Sequence, residues 1–584
     1  MKIKLMKIKS ALTIGILALS TAGFVMADTS NSQINAQDSP VATGNVIADG
    51  KLMSFVFDKS AIYPGTTRKI TVFVPAQYNG NEPACVLVRQ DGYEPRMKAV
   101  MEQLIAESQM PVTVGIFIQP GVLRATAKDA RDRSNRCLEY DGVGDSYARL
   151  VLEEVLPEVV KRYSLNLSTN GNDRCIMGGS SGGMAAFNAA WERPDAFTRV
   201  SAVSGSFVAF RGGNELPALV RKTEAKPIRV DLTTGTHDME NCAGDWFLLD
   251  QEMDKALTFA GYDHLFRIFE GGHGAGYDHS LPESLRYLWQ GWPAPVKAGA
   301  SAPRVQDIII PGENWQLVGQ NFYAAQGPSC NSNGIVYFAD PPDNKIFYVD
   351  SDGSVKLFAS DISDVNTLSC GAQGQVFAAS RNTGNIYRFD SPQSRVTIAT
   401  NLPANYLLAC PNNDLFVSTA VPGESSQVWL IHGDKKQVVD TGLKRATGLA
   451  MRPDQWILAV ADGGSKFAYS FQINPDNTLA NREKYFWLEA PDWEDDAGAE
   501  GACYAREGQL FLATRLGIQV CSDVGPTQVI LPMPDRSRVL GVCLGGPKMD
   551  TLFAFCGGKV WERKVKVHGM GAFMPPFKFP PSNL

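Results

Sequence analysis

A unit of about 40 residues recurs six times in the second half of this 584-residue chain. Each copy opens on a thiol or Met, turns through polar residues and enters an apolar strand. The copies start at Cys330, Cys370, Cys410, Met451, Cys503 and Cys543, 40 or 41 residues apart except for one gap of 52. The strands they lead into are 335–339, 376–379, 415–417, 457–460, 510–513 and 552–554. A second strand and turn follow in most copies, as at 347–353 and 386–390. A period near 40 with about four short strands per unit is the signature of a propeller. Six copies predict six blades; fewer than six true repeats would leave a β-sandwich.

The same repeat accounts for five of the eleven cysteines. Met451 stands where the other copies have Cys, which suggests a small buried apolar role inside each blade. Neighbouring inner strands allow a bridge between some of these thiols without requiring one. An odd total leaves at least one thiol free, and no Cys-x-x-Cys pair supports zinc or a thioredoxin-like site.

Residues 51–292 have a different rhythm. The apolar runs 70–74, 85–88 and 112–118 read as buried strands. Residues 147–162 carry helical spacing, with Leu150, Leu152, Val155, Leu156 and Val159 on one side. Strands alternating with helices predict a mostly parallel sheet with helices on both faces. The expected fold is therefore an α/β domain over 51–292, a breaker-rich linker over 293–310, and an all-β propeller over 311–584 with a Pro-rich tail.

At the N-terminus, Lys2, Lys4, Lys7 and Lys9 precede an apolar run over 11–25, and Val25-Met26-Ala27 offers a signal-peptidase site. Residues 1–27 are expected to be a cleaved signal peptide and 28–50 a polar, flexible leader. The run falls short of the ~20 residues that span a bilayer, and no Cys follows it to carry a lipid. The expectation is a periplasmic or secreted protein, free of the membrane after cleavage. Lys+Arg number 55 against 61 Asp+Glu, a net charge of −6, so no electrostatic case for nucleic acid exists.

The chemistry-bearing motif lies in the first half. The run 174–177 leads into Gly178-Gly179-Ser180-Ser181-Gly182-Gly183 and then into a helix. Gly179-x-Ser181-x-Gly183 is the G-x-S-x-G pattern in its strand–turn–helix context, with Ser181 as the central serine and Ser180 out of register. The glycines let the turn pass close to its neighbours, and the helix N-terminus offers free N–H groups to a developing oxyanion. The acid should follow a strand: 228–232 leads to Asp238, with Glu240 in reserve. His273, in Glu270-Gly271-Gly272-His273, follows the strand 265–269. Ser181 would attack an acyl carbon, His273 would move the proton, and Asp238 would orient the imidazole. The expected oxyanion donors are the N–H of Gly182 and that of Tyr93 or Gly92, with Asp91 as a turn residue. Trp246 or aromatics near Tyr93 are candidates to stack on a substrate ring. A metal cluster of His237, Asp238, His273, Asp278 and His279 matches no metalloprotease spacing.

On these residues the first half resembles the enterochelin-esterase-like and feruloyl-esterase-like branch of the α/β-hydrolases. Gln90-Asp91-Gly92, Glu139-Tyr140-Asp141, Glu153-Glu154-Val155-Leu156-Pro157, the serine turn, 191–197 and Glu270-Gly271-Gly272-His273 carry the likeness. The resemblance implies hydrolysis of carboxylic esters on acylated carbohydrates, hydroxycinnamates or siderophore trilactones. The second half resembles the gluconolactonase and regucalcin propellers through Gln326-Gly327-Pro328, Thr447-Gly448-Leu449-Ala450 and Glu500-Gly501. That family implies a divalent cation on the axis, held by Glu, Asn and Asp. This chain has Gln326, Thr447 and Glu500 at those positions, with Asn405 keeping another polar one, so a calcium-type site is expected to be weak or lost.

The leading expectation is an exported serine esterase that needs no cofactor, acts on a small-molecule or glycan ester, and carries an accessory propeller. The alternatives are a metal-dependent lactonase in the propeller and a non-catalytic glycan-binding protein.

Overall fold

Eight of the ten strands in the main sheet of the first domain, between Lys51 and Phe269, are longer than two residues, in a computed structural model that describes residues 49–580 except 422 and 492. The expected signal segment 1–27, and residues 28–48 of the leader, lie outside the described residues. The strands are β1 (Lys51–Phe57), β2 (Thr66–Val74), β3 (Cys85–Gln90), β4 (Thr113–Ile118), β5 (Arg174–Gly179), β6 (Arg199–Val203), β7 (Arg229–Gly235) and β8 (His264–Phe269). Their order is β8-β7-β6-β5-β3-β4-β2-β1, with β3 to β8 parallel and β1 and β2 antiparallel at the edge. β3 to β6 are buried almost throughout, as a parallel sheet covered on both faces requires.

The helices that cover it include α1 (Pro95–Ala106), α2 (Ser181–Glu192), α3 (Trp246–Phe259) and α4 (Tyr277–Trp289). The expected helix near 147–162 is present over Ser146–Arg149, Leu150–Val155 and Leu156–Tyr163, with π geometry in its middle segment. Helix α2 is buried from Ser181 to Trp191. Its Gly182, Gly183, Ala185, Ala186, Ala189 and Ala190 keep it thin enough to lie against the sheet. β3 pairs with β4 on one side and β5 on the other, so strand order reverses there, and the crevice at the carboxyl ends of β3 and β5 is where an open α/β sheet places its ligand.

The second domain is six four-stranded antiparallel sheets. The repeat residues Cys330, Cys370 and Met451 close the inner strands Gln326–Cys330, Val365–Cys370 and Ala446–Met451. The strand Gln316–Gly319 pairs with the last strand, Lys559–Lys564, and so joins the chain's two ends of the ring. All eleven cysteines are free thiols. Cys330, Cys370, Cys503 and Cys543 line an axial cavity of about 80 Å³ together with Met451 and Met549. There Cys330 Sγ lies 3.7 Å from Met549 Sδ.

The stretch expected as linker is partly folded: Pro303–Ile308 is a short helix whose Val305 and Ile308 join the propeller core. The two domains meet through buried charge. Arg563, almost fully covered, donates twice to the Glu224 carboxylate at 2.7 Å each, and the Glu224 N–H donates to Ile530 O.

Candidate active site

Ser180, not Ser181, occupies the strained turn between β5 and α2. Its backbone has φ 57° and ψ −129°, a conformation that costs a non-glycine residue ~1–3 kcal/mol and persists only where its surroundings impose it. They do: the Ser180 N–H donates to Val203 O at 2.9 Å, and its carbonyl accepts from the N–H groups of Gly183, Met184 and Ser206. Ser180 is half-buried, whereas Ser181 is 2% exposed beside Asp141. Burial pushes the Asp141 carboxyl up against the pull of the Ser181 and Cys137 side chains.

The glycines explain the register. A Cβ on Gly178 would stand 2.4 Å from the Gly182 carbonyl carbon and oxygen, and one on Gly182 would stand 2.7 Å from Asp91 Oδ2. A Cβ on Gly179 would meet only Val203 O, at an ordinary 3.6 Å. The close approach is thus between positions 178 and 182, which flank Ser180. The sequence expectation, centred on Ser181 with Gly179 and Gly183, is one residue too late.

The shift moves the oxyanion donors too. Helix α2 starts at Ser181, so the N–H next to the turn is that of Ser181, and Gly182 lies one residue further on. Gly92 is removed from the set because its N–H donates to Ile118 O at 3.1 Å. Tyr93 remains: among the described residues its N–H meets no acceptor. Its ring packs edge-on against Phe117 at 5.3 Å. Asp91 takes the turn role expected of it, with φ 63°, and accepts from Arg136 Nε at 2.7 Å and Nη2 at 3.0 Å. Arg136 also reaches Gly179 O at 3.4 Å, tying the loop after β3 to the serine turn.

Asp238 and His273 lie against each other. Asp238 Oδ1 lies 2.6 Å from His273 Nδ1, with the Asp238 side chain fully covered and His273 30% exposed. Two backbone contacts lock their loops: Thr236 N–H to Phe269 O at 2.9 Å and His237 N–H to Gly271 O at 2.8 Å. Burial pushes the Asp238 carboxyl up. Hydrogen bonds from His273, the Ser204 hydroxyl and the Met239 N–H outweigh this and leave it below the usual carboxylate range. Glu240 is exposed in the two-residue strand Glu240–Asn241. His237 faces Glu270, outside the Asp238–His273 pair.

A small polar bridge links the serine to the histidine's surroundings. Ser206 Oγ lies 3.5 Å from Ser180 Oγ and accepts from Trp246 Nε1 at 3.2 Å; the Trp246 ring stands edge-on to His273 at 6.3 Å. Trp246 is fully buried, so it supports His273 and offers no free face to a ligand. Phe210, 43% exposed and packed on Trp246, is the exposed aromatic here. Ser180, Ser206, Arg136 and Phe210, which the structure places around this turn, were not singled out in the sequence. Only the overlapping frame Gly178-x-Ser180-x-Gly182 left a trace in the sequence.

The propeller residues expected as degraded cation ligands lie at the start of the inner strands. Glu500 accepts from Arg445 at 2.7 Å and Arg538 at 3.1 Å. Asn405 Oδ1 accepts from Arg381, and the Thr447 hydroxyl donates to Ala499 O. The Glu500 and Asn405 oxygens are turned to guanidinium donors and the Thr447 hydroxyl to a carbonyl.

Residues 61–288 match the Esterase family. The iron(III) enterobactin esterase of Dickeya dadantii is 27% identical over 37% of this chain and 49% of its own length. The chain thus spans about half the length of that relative. The gluconolactonase of Zymomonas mobilis is 22% identical over 46% of the chain and 86% of its own length. The enterobactin esterase of Shigella flexneri, solved with 2,3-dihydroxy-N-benzoyl-glycine, covers 41% of this chain and 60% of its own at 20% identity and a TM-score of 0.33. The first half of the chain thus carries the match to the Esterase family model on a mostly parallel α/β sheet, and a six-bladed β-propeller follows it.

Proposed function

We propose that the protein is an exported serine esterase in which Ser180, His273 and Asp238 form the catalytic triad. The observation that carries this is the strained turn at Ser180, linked through Ser206 and Trp246 to a histidine already held by a covered carboxylate. Ser180 Oγ attacks the acyl carbon and passes its proton to His273 Nε2. Asp238 holds the Nδ1–H and stabilises the imidazolium. The oxyanion is received by the N–H groups of Ser181 and Tyr93, aimed there in advance of the charge they stabilise. Collapse expels the alcohol with the proton from His273, and water, activated by the same imidazole, then releases the acid.

The exposed ring of Phe210 suits an aromatic or otherwise apolar acyl group, on an acylated carbohydrate, a hydroxycinnamoyl ester or a siderophore-type ester. The basic, then apolar, N-terminus supports export to the periplasm or beyond. The propeller is read as accessory. The lactonase alternative is disfavoured because arginines hold Glu500 and Asn405.

The test is hydrolysis of 4-nitrophenyl acetate by protein lacking residues 1–27. Ser180→Ala should lose on the order of 10⁴-fold or more in kcat, and Ser181→Ala, which keeps its backbone N–H, no more than about tenfold. A folded Ser181→Ala that is dead while Ser180→Ala turns over would overturn the assignment.

A further inference from the structure

Three guanidiniums crowd the end of the propeller axis where the inner strands begin. Arg445 and Arg538 each immediately precede an inner strand, Ala446–Met451 and Val539–Gly545. Both donate to the same oxygen of Glu500. Arg381, just past the strand Val376–Ser380, reaches across to Asn405 Oδ1 on the next inner strand. Arg515 stands nearby but is held by Asp496 at 3.0 Å and Glu494 at 3.4 Å. Asp462 is fully buried and accepts from the backbone N–H groups of Lys444, Arg445 and Gly464. Asp364 accepts from the Asn382 N–H.

The side-chain acceptors of these three guanidiniums are one carboxylate oxygen and one neutral amide: Arg445 and Arg538 share a single oxygen of Glu500, and Arg381 is held by Asn405 Oδ1. Arg538 Nε is buried and has no acceptor among the described residues. Burial holds the Arg538 guanidinium below its usual range, and the neighbouring Arg515 and Arg445 add to this against the pull of Glu500. A divalent cation would have to displace two guanidiniums from Glu500 and then sit beside them. An anion instead meets guanidiniums whose other acceptors, apart from Glu500, are neutral: Asn405 and the carbonyls of Gly463 and Gly498. Guanidiniums are planar forks that match carboxylate and phosphate oxygens in pairs and lose little water in doing so.

We propose that this axial mouth is a binding site for an anionic oxygen group, a carboxylate or phosphate, on a small polar molecule. The site has inverted its charge preference relative to the cation-binding propellers its strands resemble. The inference is independent of the esterase reading, since no ester has to be cleaved to observe it.

The test is isothermal titration of the purified full chain with sodium gluconate, inorganic phosphate, neutral glucose and calcium. Gluconate or phosphate should bind and glucose should not. Which of the two binds more tightly identifies the source of the anion. Arg538→Gln and Arg445→Gln should each weaken that binding by about tenfold or more. Glu500→Gln should tighten it, because it removes the competing carboxylate. The opposite sign of that variant keeps the test informative if an arginine variant melts early. The proposal is overturned if neither anion binds, if binding is the same in folded Arg538→Gln, or if calcium binds and Glu500→Gln abolishes it.

Discussion

Replacing Gly178 by Ala probes the serine turn without touching a reacting group. The new Cβ would lie 2.4 Å from two backbone atoms of Gly182 and 2.9 Å from Gln90 Oε1. Ordinary contact begins near 3.4 Å, so the first turn of α2 must retreat by about 1 Å, and backbone cannot swing aside as a side chain can. Overpacking of this kind costs ~1–3 kcal/mol. The same displacement carries the Ser181 N–H away from the oxyanion, and a 1 Å misplacement costs about 10²-fold in rate. Gly179→Ala is the control. Its Cβ would meet Val203 O at 3.6 Å and nothing closer, and the residue has no positive φ. Its stability should stay within about 0.5 kcal/mol of the parent.

Urea denaturation reads the stability, and kcat/KM on 4-nitrophenyl acetate reads the chemistry. Gly178→Ala should lose both, and Gly179→Ala neither to a comparable degree. If Gly179→Ala is the damaging change and Gly178→Ala is tolerated, the turn is centred on Ser181 and the geometric argument fails.

Two further outcomes are expected. Arg68 and Glu139 form an ion pair at 2.6 Å with both side chains fully covered, so Glu139→Ala strands a buried guanidinium and should lower unfolding free energy by ~3–5 kcal/mol in urea titrations. Asp238 sits below its ordinary carboxylate range. Its contribution to stability is therefore present above the unfolded value, ~3.9, and is lost as pH falls through the lower folded value. Urea midpoints at neutral pH and below about pH 4 should show an acid-induced loss in the parent that is smaller in Asp238→Asn. An equal loss in both would mean that other carboxylates carry it.

The six-blade ring was legible in the sequence because a propeller blade is a local object. Its turns, strand alternation and sulfur positions repeat within about 40 residues, and each inner strand can be read from its own segment. The same holds for the βα half, where strand and helix periods are written in single runs such as 85–88 and 147–162. Asp238 and His273 were also within reach, because each follows its own strand by a short loop.

The position of the strained serine turn was not. Gly178-Gly179-Ser180-Ser181-Gly182-Gly183 holds two overlapping frames of the same pattern, and no local rule ranks them. The choice is made by which glycine faces another backbone. That depends on α2 pressing back over the turn, which sets Gly178 against Gly182, and on the strand at 174–179 lying beside β3, which brings in Gln90 and Asp91 from some 90 residues away. The arginines of the propeller mouth follow the same logic. Arg381, Arg445 and Arg538 belong to different blades and carry no shared motif. Ring closure by the strands Gln316–Gly319 and Lys559–Lys564 completes the axis around which they gather. Periodicity reports what a segment does alone, and charge convergence and steric register exist only after distant segments have been packed together.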